Sequence, residues 1–178
     1  MAFKFENLDS ITRKFMLEEI DTDINNSKLY LSSRLTGDGK VEYPELLKKA
    51  VQDGNEEILA DYLKKQAYFN STESRTTKKG IISAKIPSNA NETLADGEFN
   101  RFYIRAICCR VLKEGGKLEI YRAKEVTSPR SESEAKIGQT VDPKKLLEDL
   151  RANPGVDTAL GIPPGPNSGL SVRICEEN

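Results

Sequence analysis

ETLADGEFNRFYIRAICCRVLKEGG, residues 92–116, is the longest stretch in the chain whose apolar residues recur at helical spacing. Leu94, Phe102, Tyr103, Ala106, Ile107, Cys109, Val111 and Leu112 occupy much of the circumference of such a helix. A helix apolar nearly all round must be surrounded by protein, so this segment predicts a central core helix over about Glu92 to Lys113. Asn89 or Asn91 can cap its start, and Gly115-Gly116 ends it. Phe102, Tyr103, Ile107 and Val111 are its predicted core residues.

Working outward toward the N-terminus, Ile81 to Ile86 alternates as a strand closed by Pro87, and the polar, basic Ser71 to Gly80 reads as a loop. Residues 42–69 read as two helices, about Pro44 to Gln52 and Glu56 to Lys65, parted by Asp53-Gly54-Asn55. Leu46, Leu47, Ala50, Ile58, Leu59, Tyr62 and Leu63 line their shared face, which predicts an αα-hairpin. LLKKAVQDGNEEILADYLKKQAYFN, residues 46–70, resembles the helix pair of one ankyrin repeat. The Thr-Pro-Leu-His start and a second copy are absent, and one repeat cannot bury its own faces, so the segment is read as a helical hairpin. Ahead of it, Lys28 to Leu35 reads as a strand, Asp9 or Ser10 caps a helix to about Asn25, and Ala2 to Glu6 alternates as an edge strand.

On the C-terminal side, Lys117 to Val126 alternates as a strand, and Thr127 to Gly138 reads as a loop. Asp142-Pro143 opens a helix to about Arg151, and Leu170 to Ile174 is a last strand after a Gly-Pro-rich turn over residues 161–169. Strands and helices do not alternate strictly. The predicted class is therefore α+β: a helical N-terminal region, 1–70, with an αα-hairpin, and an α+β region, 71–178, whose long helix packs on a small antiparallel or mixed sheet, the two sharing one core.

Bulk composition narrows the function. The 178 residues carry 27 basic and 28 acidic groups, so no global field draws the chain to nucleic acid or to an anionic membrane. The three cysteines, Cys108, Cys109 and Cys175, form neither an even framework nor a CxxC pair, which points to a reducing, cytoplasmic setting. Neither a signal-peptide core nor a run of about 20 apolar residues is present, and no membrane partner is expected. Histidine is absent, which removes every mechanism that uses imidazole as base, shuttle or metal ligand. These features point away from an enzyme, and no metal, cofactor or particular oligomeric state is implied.

Four short motifs bear on chemistry. Residues 36–45, TGDGKVEYPE, resemble the second half of an EF-hand calcium loop, with Asp38, Gly39, Val41 and Glu45 in place. Arg34 stands where the first carboxylate belongs and would repel the cation, so calcium binding is not expected. Glu134-Ala135-Lys136 is similar to the Glu-x-Lys half of metal-dependent nucleases, with Glu119 or Glu125 as the upstream carboxylate. Ser133-x-x-Lys136 is similar to the nucleophile motif of penicillin-recognising enzymes, without its two partner motifs. Gly165 to Gly169 has the make-up of an anion-binding nest, but it precedes a strand rather than a helix and lacks a P-loop lysine, so it is read as a structural turn.

The stronger signal is regional. Residues 71–130 hold 12 basic and 7 acidic groups, a net +5 between two segments of −3. Arg75, Lys78, Lys79, Arg101, Arg105, Arg122, Lys124 and Arg130 carry this charge, with Arg101 and Arg105 on one helical edge. Two arginines at i, i+4 repel unless neutralised, either by an anionic partner or internally by residues such as Glu98, Glu119 and Glu125. The expected function is a non-catalytic interaction or assembly protein that docks another protein through this basic surface. The alternative is a nucleic-acid-associated protein, including a metal-dependent nuclease using Glu119, Glu134 and Lys136.

Overall fold

A computed structural model describes residues 2–156, 161–162 and 168–175. In chain order the elements are α1 (Ser10–Asn25), α2 (Gly37–Asp53), α3 (Glu56–Lys65), β1 (Thr72–Thr77), β2 (Gly80–Lys85), α4 (Ala90–Glu114), β3 (Lys117–Arg122), α5 (Ser131–Glu134), β4 (Thr140–Val141), α6 (Pro143–Ala152) and β5 (Leu170–Cys175). The class is α+β, with long α4 at the centre and two small antiparallel sheets.

The expected central helix gains two residues at its start and one at its end. Its termination follows from Gly115 and Gly116, whose φ angles of 86° and 105° lie where a Cβ is strained. Phe99, Phe102, Tyr103, Ile104, Ala106, Ile107 and Cys108 of α4 are buried, because α1, α3 and α6 flank it and β3 and β5 cover its remaining side. At its last turns the helix leaves the core: Cys109 is half-buried and Leu112 is exposed.

Local sequence places most helix ends. Asp9 accepts from the Thr12 N–H at 2.9 Å, Asn55 from the Ile58 N–H at 3.1 Å, and Asp142 from the Lys144 and Lys145 N–H groups at 2.9 and 3.0 Å. Helix α2 departs from expectation by starting seven residues early, at Gly37. Thr36 caps it by accepting from the Gly39 N–H at 3.0 Å, and Pro44 is accommodated inside the helix. The resemblance to a calcium loop thus falls on a capped helical turn.

In the three-stranded sheet β3 lies between β4 and β5. Leu118 faces Ile174 and Ile120 faces Val172 across the β3–β5 ladder, which puts four apolar residues on one face of the sheet. Tyr121, opposite Ser171, is covered by Phe3. The N-terminal segment does not form the expected strand. It runs extended over the sheet, joined by the Lys4 N–H to Ala123 carbonyl bond at 2.7 Å and by the Tyr121 hydroxyl donating to the Lys4 carbonyl at 2.7 Å. Residues 28–35 are likewise not a strand, since only Leu35 bridges to Phe69. Thr72 to Gly80, expected as a loop, instead forms β1 and the turn into β2.

No helix among the described residues is long and apolar enough to cross a membrane. Truncation of Phe102, 1% exposed and packed inside this core, is expected to cost about 3–5 kcal/mol. The denaturant midpoint of Phe102→Ala checks it, and an unchanged midpoint would show the register of α4 to be wrong.

Candidate functional site

Folding separates the eight basic residues into three groups. Arg101 and Arg105 do not form an exposed edge; both are interior. Arg105, 1% exposed, donates from Nε to Glu19 Oε2 at 2.7 Å and grips the Asp23 carboxylate at 2.6 and 2.9 Å, with its guanidinium 4.8 Å from the Phe102 ring centroid. Glu19 also accepts from Arg151. Arg101 donates to the Asn153 and Val156 carbonyls at 2.9 and 2.8 Å and to Glu98 at 3.3 Å. Helical spacing had put the two arginines on one edge, but it could not say that α1 would present Glu19 and Asp23, themselves i, i+4, to the same place.

Arg122, Lys124 and Arg130 lie on and after β3. Arg122 donates to the Ser168 carbonyl at 2.8 Å and pairs with Glu134, whereas Lys124 pairs with Asp96 at 2.5 Å and lies over the Phe3 ring. Arg130 is exposed. The nuclease-like residues have separate partners: Glu119 pairs with Arg173, Glu134 with Arg122, and Lys136 donates to the Gly161 carbonyl at 3.0 Å. Glu125 is exposed, and among the described residues no three acidic or cysteine side chains gather as metal ligands. Ser133, of the Ser-x-x-Lys pattern, is buried. Gly165, Pro166 and Asn167 of the expected nest lie outside the described residues.

The remaining group, Arg75, Lys78 and Lys79, belongs to the β1–β2 hairpin. Among the described residues its strands pair only with each other, Thr72 with Lys85 through Thr77 with Gly80, so each keeps an edge unpaired by them. Lys78 and Lys79 form the turn, which closes through the Thr77 hydroxyl donating to the Gly80 carbonyl at 2.8 Å, with Gly80 at a φ of 119°. Neither ammonium has an ion-pair partner among the described residues. Ile81 is 77% exposed and Ile82 also faces solvent. At the hairpin's base Arg34 clamps Glu73 bidentately at 2.7 and 3.0 Å, and Arg75 donates to the same carboxylate at 2.8 Å. The signals for this element were present in the sequence: β-branched Thr72, Thr76 and Thr77, then a Lys-Gly turn before two isoleucines.

Beside the hairpin base lies a cleft of about 360 Å³ whose walls include Tyr30, Ser32, Arg34, Glu73, Glu98 and Arg101. Burial pushes the Glu98 carboxyl above the ordinary range, against the charge of Arg101. Tyr43, fully buried, has a hydroxyl with no hydrogen-bond partner among the described residues. The cleft draws on four separate segments, so no local motif announces it.

No protein-family model, curated protein or solved structure matches the chain.

The interior arginine yields two expectations. Arg105→Ala leaves the buried Asp23 carboxylate without its guanidinium and Glu19 with Arg151 only, and should cost about 3–5 kcal/mol in chemical denaturation. Glu19 has opposing influences: burial raises its pKa, but hydrogen bonds and charge from Arg151 and Arg105 win and hold it below its ordinary value near 4.5. A depressed carboxyl stabilises the fold above its unfolded value and loses that contribution as pH falls through its folded value. Stability should therefore decline below about pH 4.5, and Glu19→Gln, weaker at pH 7, should decline less steeply over the same range.

Proposed function

We propose that the protein is a non-catalytic interaction or assembly protein that docks an acidic segment of another protein on its β1–β2 hairpin. The observation that carries this reading is a two-stranded arm, exposed along both strands, whose turn presents two ammonium groups without ion-pair partners among the described residues. Residues 72–85 hold four basic groups and one acidic group, and the acidic one, Glu73, is committed to Arg34 and Arg75. A two-stranded ribbon is marginal in water by itself, and an added third strand would satisfy the free edge while covering Ile81 or Ile82.

Several observations support binding over catalysis. The candidate nuclease residues are engaged with different partners, and the thiols of Cys108 and Cys109 are pushed up by burial, away from the thiolate form a nucleophile needs. Three unpaired cysteines also accord with a cytoplasmic setting. Exposed isoleucines beside the lysines favour protein over nucleic acid, because apolar side chains gain nothing from a phosphate backbone.

The test uses a fluorescent acidic peptide of alternating Val and Glu, with a single-stranded oligonucleotide as competitor. Lys78→Glu/Lys79→Glu should weaken peptide binding at least about tenfold and leave the melting temperature within about 1 °C, since neither side chain is packed. Peptide affinity should fall modestly with salt, part of it being apolar. Preference for the oligonucleotide, with a log-linear salt slope of about −0.7 per phosphate neutralised, would replace this reading with nucleic-acid association.

A further inference from the structure

The cleft between the hairpin base and α4 carries chemistry that docking on the hairpin does not use. The four charged groups of its lining balance and are each engaged: Arg34 with Glu73, a carboxylate that Arg75 outside the cleft also holds, and Arg101 with Glu98. Arg101 also spends its other two nitrogens on backbone carbonyls. An entering phosphate, carboxylate or ammonium would have to break one of these pairs and leave a charge unbalanced. A hydroxyl can enter without that cost, because it donates to a carboxylate and accepts from an N–H or O–H at the same time.

The rest of the lining suits such a ligand. Ser32, Ser33 and Thr93 add hydroxyl groups, and Tyr30 adds an aromatic face. The volume, about 360 Å³, falls at the small end of the usual range for ligand pockets, roughly 300–1,000 Å³. Gly97 lines the cleft from inside α4, a position where glycine weakens a helix. The Tyr43 hydroxyl is fully buried and has no hydrogen-bond partner among the described residues, and the groups whose charges act on it are Glu98, Tyr30 and Arg101, all three lining the cleft. A buried donor left unmade is costly, and this one lies next to the residues that would hold the ligand.

We infer that this cleft binds a neutral, polyhydroxylated small molecule, a sugar ring either free or as the ribose of a nucleoside. Glu98 accepts from its hydroxyls, Ser32 and Thr93 complete the polar contacts, Tyr30 lies against the ring face, and Tyr43 supports the floor.

Saturation-transfer NMR and calorimetry on the full chain test it, with D-ribose, D-glucose and adenosine as probes and inorganic phosphate and putrescine as charged controls. At least one neutral probe should bind with a dissociation constant at or below about 1 mM, and neither control should compete. Ribose or glucose binding identifies a free sugar as the source; adenosine alone identifies a nucleoside. Ser33→Trp, at an exposed position on the mouth, should abolish binding without changing the melting temperature. Tyr43→Phe should weaken binding about fivefold while leaving stability equal or higher, a combination that a purely structural hydroxyl would not give. The inference is overturned if no neutral probe binds at about 20 mM, if a charged control binds in preference, or if either variant leaves affinity unchanged.

Discussion

Arg105 is the charge around which the helical part of the core is arranged. Its guanidinium is 1% exposed, and an ion so far from water is tolerable only if its donors are taken up by carboxylates in good geometry. Glu19 and Asp23 provide them, one turn apart on α1, and Arg151 of α6 shares Glu19. The network therefore fixes three helices against each other in register. Apolar burial supplies most of the stabilisation, but it is non-directional; the buried ion pairs decide which turn of α1 meets which turn of α4.

A smaller ionic junction does the corresponding work at the surface. Arg34, just ahead of α2, holds Glu73 of β1, and Arg75 joins the same carboxylate. The hairpin has little apolar contact with the body, so this junction sets where it leaves the fold, and the same Arg34 and Glu73 form part of the cleft wall. Hairpin and cleft are consequently neighbours with a shared boundary, although one presents net positive charge and the other is internally neutral.

Where the sequence spoke clearly, a local rule was enough. The long helix, α3 and the last strand were legible because apolar period, cap residues and terminating glycines act within a few residues of one another. The N-terminal segment shows the opposite case. Phe3 and Phe5 alternate as a strand would, yet they lie over Tyr121 and Phe99 as an extended cover, since alternation specifies exposed and covered faces without specifying a ladder partner. Residues 71–80 depart from expectation for a related reason: threonines, serine and charges look loop-like when no face is buried, and a ribbon exposed on both faces has no apolar alternation to display.

The fate of the basic residues marks the same boundary. Composition and local pattern established a net +5 segment, a chain of net charge −1 without histidine, and an α+β class, because these depend on residue identity and short-range periodicity. Tertiary structure alone decided that Arg101 and Arg105 are neutralised inside while Lys78 and Lys79 are exposed on a hairpin turn, and that Tyr30, Arg34, Glu73 and Glu98 meet at one cleft. An arginine's role depends on which carboxylate packs against it. Glu19 and Arg105 are 86 residues apart, and only folding brings them together.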